Sequence, residues 1–298
     1  MQAYWVYSIK EGLDMKRARQ VFAGICAIAL CAAACGQRAA TAAELQWGFD
    51  SIVGAVATVA NDGTGGATLA GEPMAGRGGL SYSFDTPLPT QVQNVTGIGS
   101  VDFFGTNGTL RTSGTVSNLA TDASLIAAGG ITLQAWYRQT ATPQGGAGIG
   151  GLIDVGGAML LRETGSGFSV LVNSSGLPTP SVAVSQANKQ NQWNHLAAIW
   201  ATNGTTHTLS LYLNGVLAQS LAHPQVPVLN AVGGLPITVG GRFADNLFDT
   251  EGLIYEPVVT LGVVPRSQFT IAIPEPATLA ISALSVLGLV ATRRRLSV

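Results

Sequence analysis

Apolar side chains recur at every second position through the middle of this chain, a spacing that no helix can gather on one side. Ile131, Leu133, Ala135 and Tyr137 share one face of the run 131–138, leaving Thr132, Gln134, Trp136 and Arg138 on the other. Phe168, Val170 and Val172 alternate in the same way. Leu209, Leu211 and Leu213 do so up to Asn214-Gly215, after which Val216-Leu217 resumes the run. Asn-Gly between alternating segments predicts a tight hairpin, because a type I′ turn needs positive φ at both central positions. Leu196 to Trp200 is apolar on both faces, which predicts a central strand covered on both sides. No segment offers a three-turn amphipathic helix. Many short strands with Gly-, Asn- and Thr-rich connections predict an all-β sandwich or jelly roll.

Such a sandwich must hold together without disulfides. Cys26, Cys31 and Cys35 lie in or beside the N-terminal apolar segment, so residues 44–272 contain no cysteine. That body is long enough for a large core without staples. It carries thirteen acidic residues against seven basic ones, a net charge of −6. An acidic body has no electrostatic reason to bind nucleic acid or an anionic membrane surface.

Both ends look like addresses rather than structure. Met15-Lys16-Arg17-Ala18-Arg19 is a basic n-region, and Val21 to Ala34 has the length of a secretory h-region. Ala39-Ala40-Thr41-Ala42-Ala43 offers cleavage after Ala42 or Ala43, making 1–43 a leader and signal peptide for the Sec machinery. Translation starts either at Met15 or at the first residue of a long n-region. Ala33-Ala34-Cys35-Gly36 has some likeness to a lipoprotein cleavage site, although Ala32 stands where that pattern usually has Leu. At the other end, Pro274-Glu275-Pro276 precedes an uncharged apolar run, Ala277 to Thr292, and then Arg293-Arg294-Arg295. Two prolines in three residues favour an extended, accessible segment. The apolar run as a helix is about 24 Å long, short against a hydrocarbon core of about 30 Å. The arginines favour the cytoplasmic side.

These three parts, in this order, resemble the PEP-CTERM sorting signal of exported bacterial proteins. The resemblance implies processing at Pro274-Glu275-Pro276 by exosortase, a membrane protease. It also implies a cell-envelope, cell-surface or extracellular-matrix location after an inner-membrane-anchored stage. The chain then divides into a leader (1–43), a folded domain (44–268), a linker holding Pro-Glu-Pro (269–276), a short transmembrane segment (277–292) and a basic cytoplasmic tail (293–298).

The body itself resembles the laminin G-like, or concanavalin A-like, jelly-roll family. Leu45-Gln46-Trp47-Gly48-Phe49-Asp50 looks like its opening strand, and Phe103-Phe104-Gly105 and Ile131 to Trp136 match the next landmarks. Trp193-Asn194-His195-Leu196-Ala197 looks like its Trp-x-His segment, and Leu211-Tyr212-Leu213-Asn214-Gly215 like its hairpin. Ile237-Thr238-Val239-Gly240-Gly241 and Gly252-Leu253-Ile254-Tyr255-Glu256 resemble the closing strands. Glu256-Pro257 departs from the pattern and predicts an edge position or a bulge. The glycine-rich stretch 61–79 is read as loops.

Catalytic signals are weak. Glycan-cleaving enzymes of this fold carry closely spaced carboxylates on one strand, and no such triplet occurs here. Asp245, Asp249, Glu251 and Glu256 form the densest acidic group, read as a solvated rim, with a calcium site as the rival reading. Asp50 and Asp62 are further calcium candidates. There is no Gly-x-Ser-x-Gly elbow, and His195, His207 and His223 lack zinc-ligand spacing. His195, at the mouth of a buried strand, is read as a packing histidine rather than a base. The Gly-x-Gly-x-x-Gly match at 146–151 leads into strand-like residues, so no helix N-terminus is there to hold a pyrophosphate.

Aromatic residues supply the positive hint. If the second face of the 131–138 strand is the open concave sheet, Trp136 and Tyr212 are placed to stack on a sugar. If a loop covers that face, which is the favoured alternative, they are structural. The expected function is non-enzymatic: a surface or matrix protein binding carbohydrate or protein, without cofactor beyond a structural calcium. The alternatives are a glycoside hydrolase on the same fold and a purely structural matrix protein.

Overall fold

A computed structural model describes residues 43–272, apart from 106, 120, 144–147, 166, 173–180, 185–190, 223–225, 228–234 and 243–247. The leader, Pro274-Glu275-Pro276, the apolar run 277–292 and Arg293-Arg294-Arg295 lie outside the described residues. No helix among the described residues is long and apolar enough to cross a membrane.

The described chain is a sandwich of two antiparallel sheets. In order, its strands are β1 (Leu45–Gln46), β2 (Gly71–Pro73), β3 (Ser81–Ser83), β4 (Ser100–Asp102), β5 (Leu110–Thr112), β6 (Gly130–Gln139), β7 (Gly150–Val155), β8 (Met159–Thr164), β9 (Gly167–Val172), β10 (Ser181–Val184), β11 (Trp193–Thr202), β12 (His207–Leu213), β13 (Val216–Ala222), β14 (Ile237–Val239) and β15 (Gly252–Leu261). One sheet runs β13-β12-β11-β6-β15-β4-β3, with β1 added to β15; the other runs β10-β9-β8-β7-β14-β5-β2. Helix is confined to short pieces such as α1 (Val116–Leu119) and α2 (Asp122–Ala127).

Alternation decides which side chains fill the space between the sheets. Ile131, Leu133, Ala135 and Tyr137 of β6 enter the main core, as do Leu196, Ala198 and Trp200 of β11 and Leu209 and Leu211 of β12. Phe168, Val170 and Val172 of β9 close it from the opposite sheet. Trp47 is fully buried, and its indole N–H donates to the Leu69 carbonyl (2.8 Å), so its one polar atom is satisfied. At the β12–β13 hairpin Asn214 and Gly215 take φ of 50° and 73°, the positive pair that the Asn-Gly signal predicts. Glu256-Pro257 forms a bulge: the β15–β6 register shifts between Tyr255 and Val258, and Glu256 has φ 49°. It is not an edge, because β15 pairs with β6 on one side and β4 and β1 on the other.

The boundary at residue 268 needs correction. After β15 the chain turns at Gly262, and Val264 and Phe269 pack with Ala197 and Ile199 on the outer face of the β6–β11 sheet. Ile271 then bridges to Val92, and the Ala272 N–H donates to the Gln91 carbonyl (2.8 Å). Residues 269–272 are therefore a strap of the folded domain, not linker. This strap also supplies the second cover that the doubly apolar run 196–200 calls for.

Candidate functional site

The outer face of β6 presents Gln134 and Trp136, and β11 presents His195 beside them. Thr270 of the strap ties all three together. Its N–H donates to Gln134 Oε1 (3.1 Å), its carbonyl accepts from Trp136 Nε1 (3.2 Å), and its hydroxyl lies 3.0 Å from His195 Nε2. The His195 ring sits edge-on to Trp136 and tilted against Phe269, with centroids 5.3 and 5.7 Å away. Burial drives the His195 pKa down to about 3, so the ring is neutral at pH 7. It is placed as a packing histidine.

Trp136 and Tyr212 do not make the sugar platform outlined above. Trp136 is only 1% exposed, and Tyr212 meets the edge of Phe269 at 5.2 Å. Phe269 occupies the space a ligand would need. Tyr212 is half-buried and is not among the residues that line the open cleft of this face.

An open cleft of about 440 Å³ lies at the end of the same face, where β11 begins. Trp193, Gln192, Asn194, Asn214 and Gln91 line it, with Trp136 behind them. Strand pairing explains the convergence: Trp193 opposes Arg138 at the end of β6, and Asn214 closes the adjacent hairpin. The amides are held in place. Asn214 Nδ2 donates to Asn194 Oδ1 (3.1 Å), Asn214 Oδ1 accepts from the His195 N–H (2.8 Å), and Asn194 Nδ2 donates to the Gln192 carbonyl (3.1 Å). Trp193 Nε1 donates to Asp85 Oδ1 (3.0 Å), and Asp85 is ion-paired with Arg138. The described lining therefore combines an aromatic ring with four amides, and none of its residues is charged. Trp193, Asn194 and Asn214 belonged to recognised landmarks, but neither Gln91 nor Gln192 carried a signal of its own.

The acidic group is not a solvated rim. Asp249, Glu251 and Glu256 are 6%, 0% and 0% exposed; Asp245 lies outside the described residues. Asp249 pairs with Arg77 at 2.7 Å, and Glu251 Oε2 accepts from the Gly105 N–H at 2.7 Å. Glu256 accepts from Gln46 Nε2 and the Thr96 and Gly97 N–H groups at 2.6, 2.8 and 3.0 Å. Asp62 accepts from Thr96 Oγ1 and the Gly48 N–H at 2.7 and 3.2 Å. These donors point hydrogens at the carboxylate oxygens, so a calcium ion does not fit Asp62 and Glu256 without displacing them. Asp50 is exposed, and no group of three metal-ligating side chains occurs among the described residues.

A separate carboxyl sits between the sheets. Glu163 is fully buried with neither oxygen in a well-formed hydrogen bond; burial, with repulsion from Glu251, raises its pKa to about 8 against the opposing pull of the nearby Tyr137 hydroxyl and Glu251 backbone. The Tyr137 hydroxyl above it is pushed well up by the same burial.

Residues 112–259 match the concanavalin A-like lectin/glucanases superfamily, and residues 272–295 match the PEP-CTERM protein-sorting motif. No curated protein sequence matches the chain. Among solved structures, domain 4 of AbnA, a GH43 extracellular arabinanase from Geobacillus stearothermophilus in complex with arabinotriose, is similar at 17% identity, covering 74% of this chain and 98% of that one with a TM-score of 0.49. The CBM40 of Ruminococcus gnavus IT-sialidase bound to α2,3-sialyllactose is similar at 17% identity, covering 50% and 84% with a TM-score of 0.40. A SAP-like pentraxin from Limulus polyphemus is similar at 10% identity, covering 47% and 68% with a TM-score of 0.36. Residues 112–259 of the sandwich thus carry the match to the concanavalin A-like lectin/glucanases superfamily, in a chain whose last described residue opens the match to the PEP-CTERM protein-sorting motif.

Proposed function

We propose that this is an exported surface protein that binds neutral carbohydrate, without cleaving it, in the cleft beside Trp193. The PEP-CTERM motif supports export to the cell envelope or surface and implies processing by exosortase. In this reading Ala277–Thr292 holds the chain in the inner membrane until the segment is removed. The observation carrying the binding role is the lining of the cleft: one half-buried tryptophan among four uncharged amides. Beyond the bonds that hold it, each amide keeps at least one N–H and one carbonyl lone pair, which suits neighbouring sugar hydroxyls. An aromatic ring suits the apolar C–H face of a pyranose. A phosphate or an ionised peptide group would demand a countercharge that this lining does not supply. Among the described residues no carboxylate lines the cleft, so the acid and its partner required for glycoside hydrolysis have no described member there.

The test is an array of neutral oligosaccharides, followed by calorimetry on the best binder. Trp193→Ala is expected to weaken binding about tenfold, on the order of 1–2 kcal/mol. Gln192→Ala removes an exposed side chain and should weaken binding without changing the melting temperature. Addition of EDTA should leave affinity unchanged. If no glycan binds with or without calcium, the purely structural role replaces this reading.

A further inference from the structure

The described chain leaves the fold at Ala272, beside the cleft. Only residues 273–276 separate it from the apolar run that starts at Ala277. An extended chain advances at most about 3.6 Å per residue, so Ala272 stands within about 18 Å of that run. The edge of the domain around Ala272 must then lie close to whatever surface holds residues 277–292.

The rims on either side of the cleft carry exposed apolar side chains. Gln91, whose carbonyl accepts from the Ala272 N–H, also accepts through Oε1 from the Leu88 N–H (3.0 Å). Leu88 is 64% exposed, and Phe84 on the same loop is 77% exposed. Across the cleft, Val216 and Leu217 follow Asn214-Gly215 and are 60% and 50% exposed. Residues 86–91 read Thr-Pro-Leu-Pro-Thr-Gln and carry no charge. The single charge at the base of the loop, Asp85, is held by Arg138 and Trp193. Large exposed apolar side chains gathered at one edge mark a contact surface. With no unpaired charge at the tip among the described residues, that surface suits insertion into a lipid interface rather than attraction to its headgroups.

We infer that the rim formed by Phe84 and Leu88 on one side, and by Val216 and Leu217 on the other, rests on the lipid bilayer while the sorting segment is in place. The domain then has a second membrane contact besides its tail, and a fixed end facing the bilayer. This inference rests on the reading of Ala277–Thr292 as a membrane segment.

The experiment uses the full chain after leader removal, residues 44–298, which has no cysteine, so that one introduced cysteine carries an environment-sensitive dye. Leu88→Cys reports on the rim; Thr205→Cys, in the exposed turn at the far end of β11 and β12, reports on the opposite end. The protein is reconstituted in phosphatidylethanolamine–phosphatidylglycerol vesicles containing spin-labelled lipid, beside a chain stopped after Ala272. Anchoring is scored separately, by flotation after an alkaline wash. The expected result is about twofold quenching at position 88, none at 205, and loss of the signal in the stopped chain. Phe84→Asp in the labelled chain should reduce the quenching while flotation persists. A chain that floats with position 88 as unquenched as 205 overturns the rim contact alone. A full chain that washes off, or a stopped chain that still floats, overturns the tail reading and the rim contact with it.

Discussion

Phe269→Ala will lower the stability of the domain by about 3–5 kcal/mol, the usual effect of truncating a buried phenylalanine. Phe269 is fully buried, packs with Ala197, Ile199 and Val264, and meets the rings of His195 and Tyr212. Its removal leaves a cavity over a strand that is otherwise apolar and uncovered on that side. Denaturant titration of wild type and variant measures the difference as a shifted midpoint at a similar slope. The same contacts make the end point of the domain critical. A chain stopped after residue 268 loses Phe269, the three Thr270 interactions and the Ile271 bridge, and should be less stable still. A chain stopped after Ala272 keeps them all. Equal stability of the two truncated chains would show that the strap does not hold the sheet.

The second large effect is a stability plateau at mildly acidic pH. Glu163 has a folded pKa of about 8 against an ordinary 4.5. Between those values the unfolded chain ionises Glu163 and the folded chain does not. The Glu163 contribution is therefore greatest below 4.5 and is lost as pH rises toward 8, by about 1.4 kcal/mol per pH unit. His195 runs the other way, with a folded pKa of about 3 against an ordinary 6.5. Below 6.5 the unfolded chain takes up a proton that the folded chain refuses, so stability is lost as pH falls through that window. From 4.5 to 6.5 the two slopes cancel. Stability should fall below about pH 4.5 and again above about pH 6.5.

Each limb has its own variant. Glu163→Gln removes the alkaline limb and should raise stability at pH 8 by on the order of 4–5 kcal/mol. His195→Phe should flatten the acid limb. Melting curves at half-unit pH intervals, taken as differences between variant and wild type, isolate each residue from the other titrating groups. A Glu163→Gln difference independent of pH would mean that this carboxyl is not held neutral in the fold.

Much of the sandwich was readable because strand alternation is local. Ile131 through Tyr137 assign their own faces, and so do Leu209 through Leu213. Asn214-Gly215 specifies its turn by backbone conformation alone. Glu256-Pro257 signalled an irregularity because proline cannot donate to a ladder, although the choice between bulge and edge waited on the position of β15. The strap escaped notice for the opposite reason. Phe269 and Ile271 alternate, but two residues are too short a run to stand out from a linker. The acidic residues were misjudged for a similar reason: Asp249 is buried because Arg77 meets it from 172 positions away.

The candidate site divides along the same line. The sequence by itself determined the class of fold, the face each strand residue takes, and the PEP-CTERM address. All of these follow from backbone period, proline and glycine chemistry and the order of short motifs. Only the tertiary structure decided that Trp136 lies under Thr270, 134 positions away, while Trp193 lines an open cleft with amides from three separate segments. Periodicity tells each side chain which way to point. What it meets there is settled by contacts between segments far apart in the chain, which no local pattern records.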